Sequence, residues 1–149
     1  MARFIKKRIS WKSMGLSIYG VGTEEYFSCT YGLWHDLRSL ACQADGYDES
    51  LEFLVGDDHF RSNTRFRQFV CFSDHEGILV PQRRLSGIDY ENSFSLGSSD
   101  KLLQELEALK KYLRKNRNFA DVLERSLFSE LYGLVKKEVN GGMGILVYR

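Results

Sequence analysis

The sequence predicts an α+β protein, with a mostly antiparallel sheet made of an N-terminal strand, a central hairpin and a C-terminal strand, and three helices packed on one face. Two observations carry that expectation. Apolar residues recur at three- and four-residue spacing around Leu33–Ala44, Leu102–Leu113 and Ala120–Leu134, the period of a helix with one buried face. Short β-rich runs, "GLSIYG", "ILV" and "GILVY", are bounded by glycine or proline, as strands between turns are. Residues 1–13 read as a basic N-terminal extension and 14–149 as a single domain, within the usual domain size.

The elements follow in order. "MGLSIYGVG" alternates Leu16, Ile18 and Gly20 against Ser17, Tyr19 and Val21, which is a half-buried strand. Ser28 or Thr30 then caps a helix carrying Leu33, Trp34, Leu37, Leu40, Ala41 and Ala44 inward and ending at Gly46. Residues 45–58, with six acidic side chains around Leu51, Phe53, Leu54 and Val55, read as a loop followed by a short strand or helical turn. "RSNTRFRQFVCF" alternates Phe66, Gln68, Val70 and Phe72 against Arg65, Arg67, Phe69 and Cys71. It reads as a strand, with "ILVP" returning as its hairpin partner and Ser73–Gly77 as the loop. "IDYENSFSL" is a further strand or an extended loop. Ser98 or Ser99 caps a second long helix ending in the basic "KKYLRKNR", and Asn118 with Asp121 opens a third, with Ala120, Leu123, Leu127, Leu131 and Leu134 inward. The two long helices form an antiparallel pair through "KNRN", and "MGILVYR" closes the fold as a strand.

Hydrophobic residues are 43% and charged residues 28% of the chain, with one proline, so disordered and collagen-like classes are excluded. No apolar stretch approaches the roughly 20 residues that span a bilayer, and "MARFIKKRISWKS" lacks the apolar core of a secretory signal. The expectation is a cytoplasmic protein without membrane contact. Cys29, Cys42 and Cys71 are odd in number and far apart, and read as reduced buried thiols; Cys29 alone, just ahead of a helix carrying His35, is placed to be a nucleophile. Arg3, Lys6, Lys7, Arg8 and Lys12 all precede the first acidic residue, Glu24; a start at Met14 would remove these five cations and take the formal charge from +1 to −4.

Three groups of residues could carry function. The Asp-His pairs of "GDDHF" and "SDHEG" offer His59, Asp74, His75 and Glu76 as metal ligands, with an activated water as nucleophile. Against this, one extended strand of about seven residues would hold the two loops roughly 20–25 Å apart, and Asp74–Glu76 has a sufficient role as a turn. Arg65, Arg67, Arg83 and Arg84, interleaved with Phe66, Phe69 and Tyr90, resemble a single-strand stacking surface, with the acidic run beside them opposing phosphate. Tyr31, Trp34 and His35 at the start of the first helix, with Asp57 and Asp58, are aromatic and charged material for a protein interface.

"MGLSIYG", "YGLWHDLR" and "FSDHEGILVP" together resemble a loosely defined group of small bacterial and phage-encoded proteins. There an SD-x-(D/E)-G-x-(I/L)-x-P segment lies between a strand and a helix. The resemblance covers roughly Met14 to Pro81, and "QRRLSGIDYENSFSLGSSD" departs from it by delaying the helix. It implies a phage or prophage origin and no activity, cofactor or catalytic residue. The functional expectation is a non-enzymatic binding or accessory protein acting on a protein partner or on itself, without cofactor. The alternatives are a metal-dependent hydrolase or phosphoesterase on the Asp-His loops and a nucleic-acid-binding protein on the arginine strand and basic arm.

Overall fold

The computed structural model describes residues 15–72, 76–81, 95–116 and 120–148. The basic extension, Asp74 and His75, Arg83 and Arg84, Tyr90 and Asn118 lie outside the described residues. The chain runs β1 (Gly15–Gly20), β2 (Tyr26–Thr30), α1 (Tyr31–Ala44), α2 (Leu51–Val55), α3 (Asp58–Asn63), α4 (Arg67–Cys71), β3 (Glu76–Val80), β4 (Ser95–Ser98), α5 (Ser99–Lys115), α6 (Val122–Asn140) and β5 (Ile145–Tyr148). The class is α+β, as expected.

The five strands are ordered β2-β1-β5-β3-β4. β1 pairs antiparallel with both β2 and β5, and β5 pairs antiparallel with β3, but β3 and β4 run parallel, so the sheet is mixed. Registers place Gly20 opposite Ile145, Ile145 opposite Leu79 and Leu79 opposite Gly97. Because opposed residues share a face, these four form one row across the sheet. At one end of the row a Cβ on Gly20 would strike Leu134 and Glu138 of α6; at the other a Cβ on Gly97 would strike Gln68 of α4. Both helices therefore cover the same face. Leu16, Ile18, Phe27, Cys29, Leu79, Ile145 and Val147 from that face join Trp34, Leu37, Phe60, Phe66, Phe69, Leu106, Leu109, Leu131 and Val135 in one buried cluster.

Capping explains where the helices begin. Thr30 Oγ1 accepts from Leu33 N at 3.2 Å, Ser98 Oγ from Lys101 N at 3.2 Å, and Asp121 with Glu124 closes a reciprocal capping box. α1 ends on Gly46 at φ 87°, a left-handed position that glycine takes without strain.

Four expectations are corrected. The predicted strand "RSNTRFRQFVCF" is helical, α3 and α4 joined at Thr64–Phe66, so there is no hairpin with "ILVP". Arg65 and Arg67 are exposed between buried Thr64, Phe66 and Gln68, which mimics a strand's alternation, and Phe69, Val70 and Cys71 are all buried; a run this short does not separate strand from helix by its period. β3 instead lies between β5 and β4, with Pro81 just past its end. β2 is a further strand directly before the first helix, with Ser28 inside it, and six helices stand among the described residues in place of three. Leu123 is 64% exposed rather than inward, because the inner stripe of α6 is Leu127, Phe128, Leu131, Leu134, Val135 and Glu138.

Candidate functional site

The anticipated sites are taken up mostly by structural work. Asp57 caps α3, accepting from Phe60 N at 3.1 Å, and His59 is exposed, its ring Nδ1 lying 3.3 Å from Asn63 Nδ2. Asp58 is an exposed residue of the first turn of α3. No cluster of three or more His, Cys, Asp or Glu side chains suited to a metal exists among the described residues. Cys29 sits in β2 rather than at a helix start, 2% exposed, and burial pushes its thiol up to about 12. A thiol so protonated at neutral pH is not a nucleophile.

Arg65 is held by Asp45, Nε to Oδ1 at 3.0 Å, and lies over the Phe66 ring; Arg67 lies over Phe72. Phe66 and Phe69 are fully buried, so neither offers a ring to a nucleobase. Trp34 is 1% exposed and meets Phe69 edge-on at 5.5 Å, which places it in the core; His35 remains half-buried at the surface with Nε2 2.9 Å from Glu52 Oε2, and Tyr31 is half-buried.

Two carboxylates of the long helices are buried. Glu105 of α5 accepts from Gln68 N at 2.9 Å and Phe69 N at 2.8 Å, satisfying the first amides of α4, while Gln68 Oε1 accepts from Ser98 N at 2.8 Å. α5, α4 and β4 are thereby tied by one chain of bonds. Burial pushes the Glu105 carboxyl up to about 8, against the pull of those two amides. Such a shift can mark catalysis, but both oxygens are spent on backbone donors and the side chain is 9% exposed. In the unfolded chain the group titrates near 4.5. The folded state therefore binds the extra proton between these values, and stability is expected to fall as pH rises from about 5 to about 8 and then level. Thermal melts across pH 5–9 should show this slope, and Glu105→Gln should flatten it.

Glu138 of α6 is 1% exposed and reaches the turn between β1 and β2, where it accepts from Gly22 N at 2.7 Å, Thr23 N at 3.0 Å and Thr23 Oγ1 at 2.7 Å. It fixes the turn from inside. Beyond that turn lies a groove of about 770 Å³ between Glu24–Phe27 and α6, lined on the helix by Ser126, Ser129, Glu130, Gly133, Leu134 and Lys137. An added Cβ on Gly133 would meet nothing within 4 Å. At helical spacing the same stripe continues to Val122, 80% exposed, beside Leu123. A second concavity, of about 600 Å³, lies between Arg65 and α5 and includes Glu107, Lys111, Tyr112 and Lys115.

The fold and these surfaces define an α+β protein with an open groove on α6 and no metal cluster among the described residues. Comparison with protein-family models, with curated proteins and with solved structures finds no match. No helix among the described residues is long and apolar enough to cross a membrane. The small-residue spacing Ser126, Ser129, Gly133 is the sequence signal for the groove that periodicity of apolar residues alone passes over.

Proposed function

We propose that this is a non-enzymatic binding or accessory protein, of phage or prophage origin and cytoplasmic, that works through a protein–protein surface. The observation that supports the reading is the α6 groove together with Val122 and Leu123, large apolar side chains 80% and 64% exposed at its end. Exposed apolar groups beside a charged rim are interface material. Because both side chains stand in solvent, Val122→Asp with Leu123→Asp is expected to leave the melting temperature within a few degrees. The pair should abolish co-purification of any partner retained by the unchanged protein, or dissolve a self-associated species in sedimentation. A partner held equally by both forms would count against the reading. Manganese or zinc retained stoichiometrically in native mass spectrometry would favour the hydrolase instead.

The nucleic-acid reading is supported by the second concavity, whose lining includes Arg65, Lys111 and Lys115 along with Glu107. Retention on a polyanion column that falls with salt and is reduced by Lys111→Ser with Lys115→Ser would favour it.

A further inference from the structure

We propose that the α6 groove binds a short basic segment of a partner protein, its lysine or arginine side chains received by Glu24 and Glu25 and its small and apolar side chains lying along Ser126, Ser129 and Gly133. The inference rests on the protein-binding reading and names the chemistry of the partner.

Charge is the first argument. At the turn end of the groove two carboxylates, Glu24 and Glu25, stand against one ammonium, Lys137. Lys137 Nζ already lies 3.1 Å and 3.3 Å from the two Glu25 oxygens, so its charge is offset within the wall. Both partners of that pair are more than half exposed. An exposed pair of this kind is worth about 0–1 kcal/mol and exchanges readily for an incoming cation. Lys137 is engaged with Glu25 and not with Glu24, so the Glu24 charge is not offset by it.

Backbone geometry is the second. Glu24 takes φ 60°, and is the one positive-φ residue other than glycine among the described residues. An L-residue in that region costs roughly 1–2 kcal/mol. Neighbouring Gly22 and Thr23 are clamped by the buried Glu138, and Gly20 N donates to Glu25 O at 2.8 Å while Glu24 N donates to Gly20 O at 2.9 Å. A turn held this firmly from inside presents Glu24 and Glu25 outward in a fixed arrangement. A glycine at position 24 would serve the turn alone better; a carboxylate there serves something in the groove.

Room is the third. Ser126, Ser129 and Gly133 occupy one stripe of α6, and the open space over Gly133 admits a peptide main chain close to the helix.

The test is a titration of the ¹⁵N-labelled full chain with a Lys-Ser-Leu repeat peptide, with Glu-Ser-Leu and Gln-Ser-Leu repeats as arms. The basic peptide is expected to move the amides of residues 22–27 and 126–137, saturably at low ionic strength and more weakly as salt is raised. Glu24→Gln with Glu25→Gln should weaken binding by about threefold to tenfold, in line with two exposed charge pairs. Glu24→Gly should weaken it while raising the melting temperature, an opposition that a purely structural role would not produce. Gly133→Leu should block it in a chain that still melts cooperatively. Equal movement of the groove amides by the Gln and Lys peptides would overturn the basic specificity and leave the protein-binding reading standing. No movement by any peptide would overturn the groove proposal, while the protein-binding reading stands or falls on the co-purification and sedimentation of the Val122→Asp, Leu123→Asp pair. Movement confined to residues 45–58 would relocate the site. Should the groove amides shift without ligand when Lys6, Lys7 and Arg8 are changed to Ser, the occupant would be the chain's own basic segment, and the partner proposal would fall.

Discussion

Replacing Gly144 by alanine is expected to destabilise the protein by about 4 kcal/mol or more, a large part of the roughly 5–15 kcal/mol that holds a typical domain folded. A Cβ at this position would collide with the carbonyl oxygen of Leu79 and come within 3.0 Å of Val80 Cα and 3.1 Å of Leu79 C. All three are main-chain atoms of β3, a strand held on both sides by β5 and β4, so no side chain can rotate away to make room. Gly144 O also accepts from Val21 N at 3.0 Å, which fixes the residue from the other direction. Soluble yield and the circular dichroism melt of Gly144→Ala check this. Gly133→Ala is the control. Its methyl meets open space in the middle of a helix, and about 0.5–1 kcal/mol of stabilisation is expected from the propensity difference.

The second large effect is expected at Glu138. Truncation to alanine leaves Gly22 N, Thr23 N and Thr23 Oγ1 without the acceptor they share. Donors to a charged group contribute about 1.5–3 kcal/mol each and are not additive, so a total loss of about 3–5 kcal/mol follows. Glu138→Gln keeps one carbonyl oxygen and is expected to lose about half as much. Urea melts give the magnitude. Hydrogen exchange locates it: amides 22–24 should exchange at close to unprotected rates in Glu138→Ala, while Gln68 and Phe69, bound to Glu105 on the opposite side of the sheet's midline, stay slow.

Sequence reading recovers those parts of this protein whose local signals agree with the fold. α5 and α6 are long, periodic and capped, and their leucines at 102, 106, 109, 113, 127, 131 and 134 are all buried. β1 and β5 alternate cleanly. α4 was hidden because Arg65 and Arg67 are exposed between buried Thr64, Phe66 and Gln68, so the stretch alternates in burial as a strand would, and Phe69 to Cys71 are then buried together. β2, "YFSCT", sits directly against α1, and Thr30 is both its last residue and the cap of the helix, so no turn composition separates the two. Glu105 and Glu138 were illegible for a different reason. Each bonds to a backbone at least 36 residues away, and nothing in "QELEAL" or "KKEVN" distinguishes a buried carboxylate from a solvated one. The groove falls between these cases, since its small residues stand at helical spacing but its acidic wall arrives from a turn more than a hundred residues earlier.

The order β2-β1-β5-β3-β4 has a bearing on how the chain comes off the ribosome. The middle position of the sheet belongs to β5, which is synthesised after every other described strand. Until residues 145–148 emerge, β1 has no neighbour on its inner side and β3 has none on the side facing it, so nothing joins the β1-β2 and β3-β4 pairs, and a two-stranded pair alone is marginal in water. Closing the sheet brings residue 17 beside residue 148, a contact of nearly the greatest sequence separation the described chain offers, whose loop-closure entropy must be met before the pairing is gained. Loss of Ile145–Tyr148 is therefore expected to remove the strand that joins the two halves of the sheet.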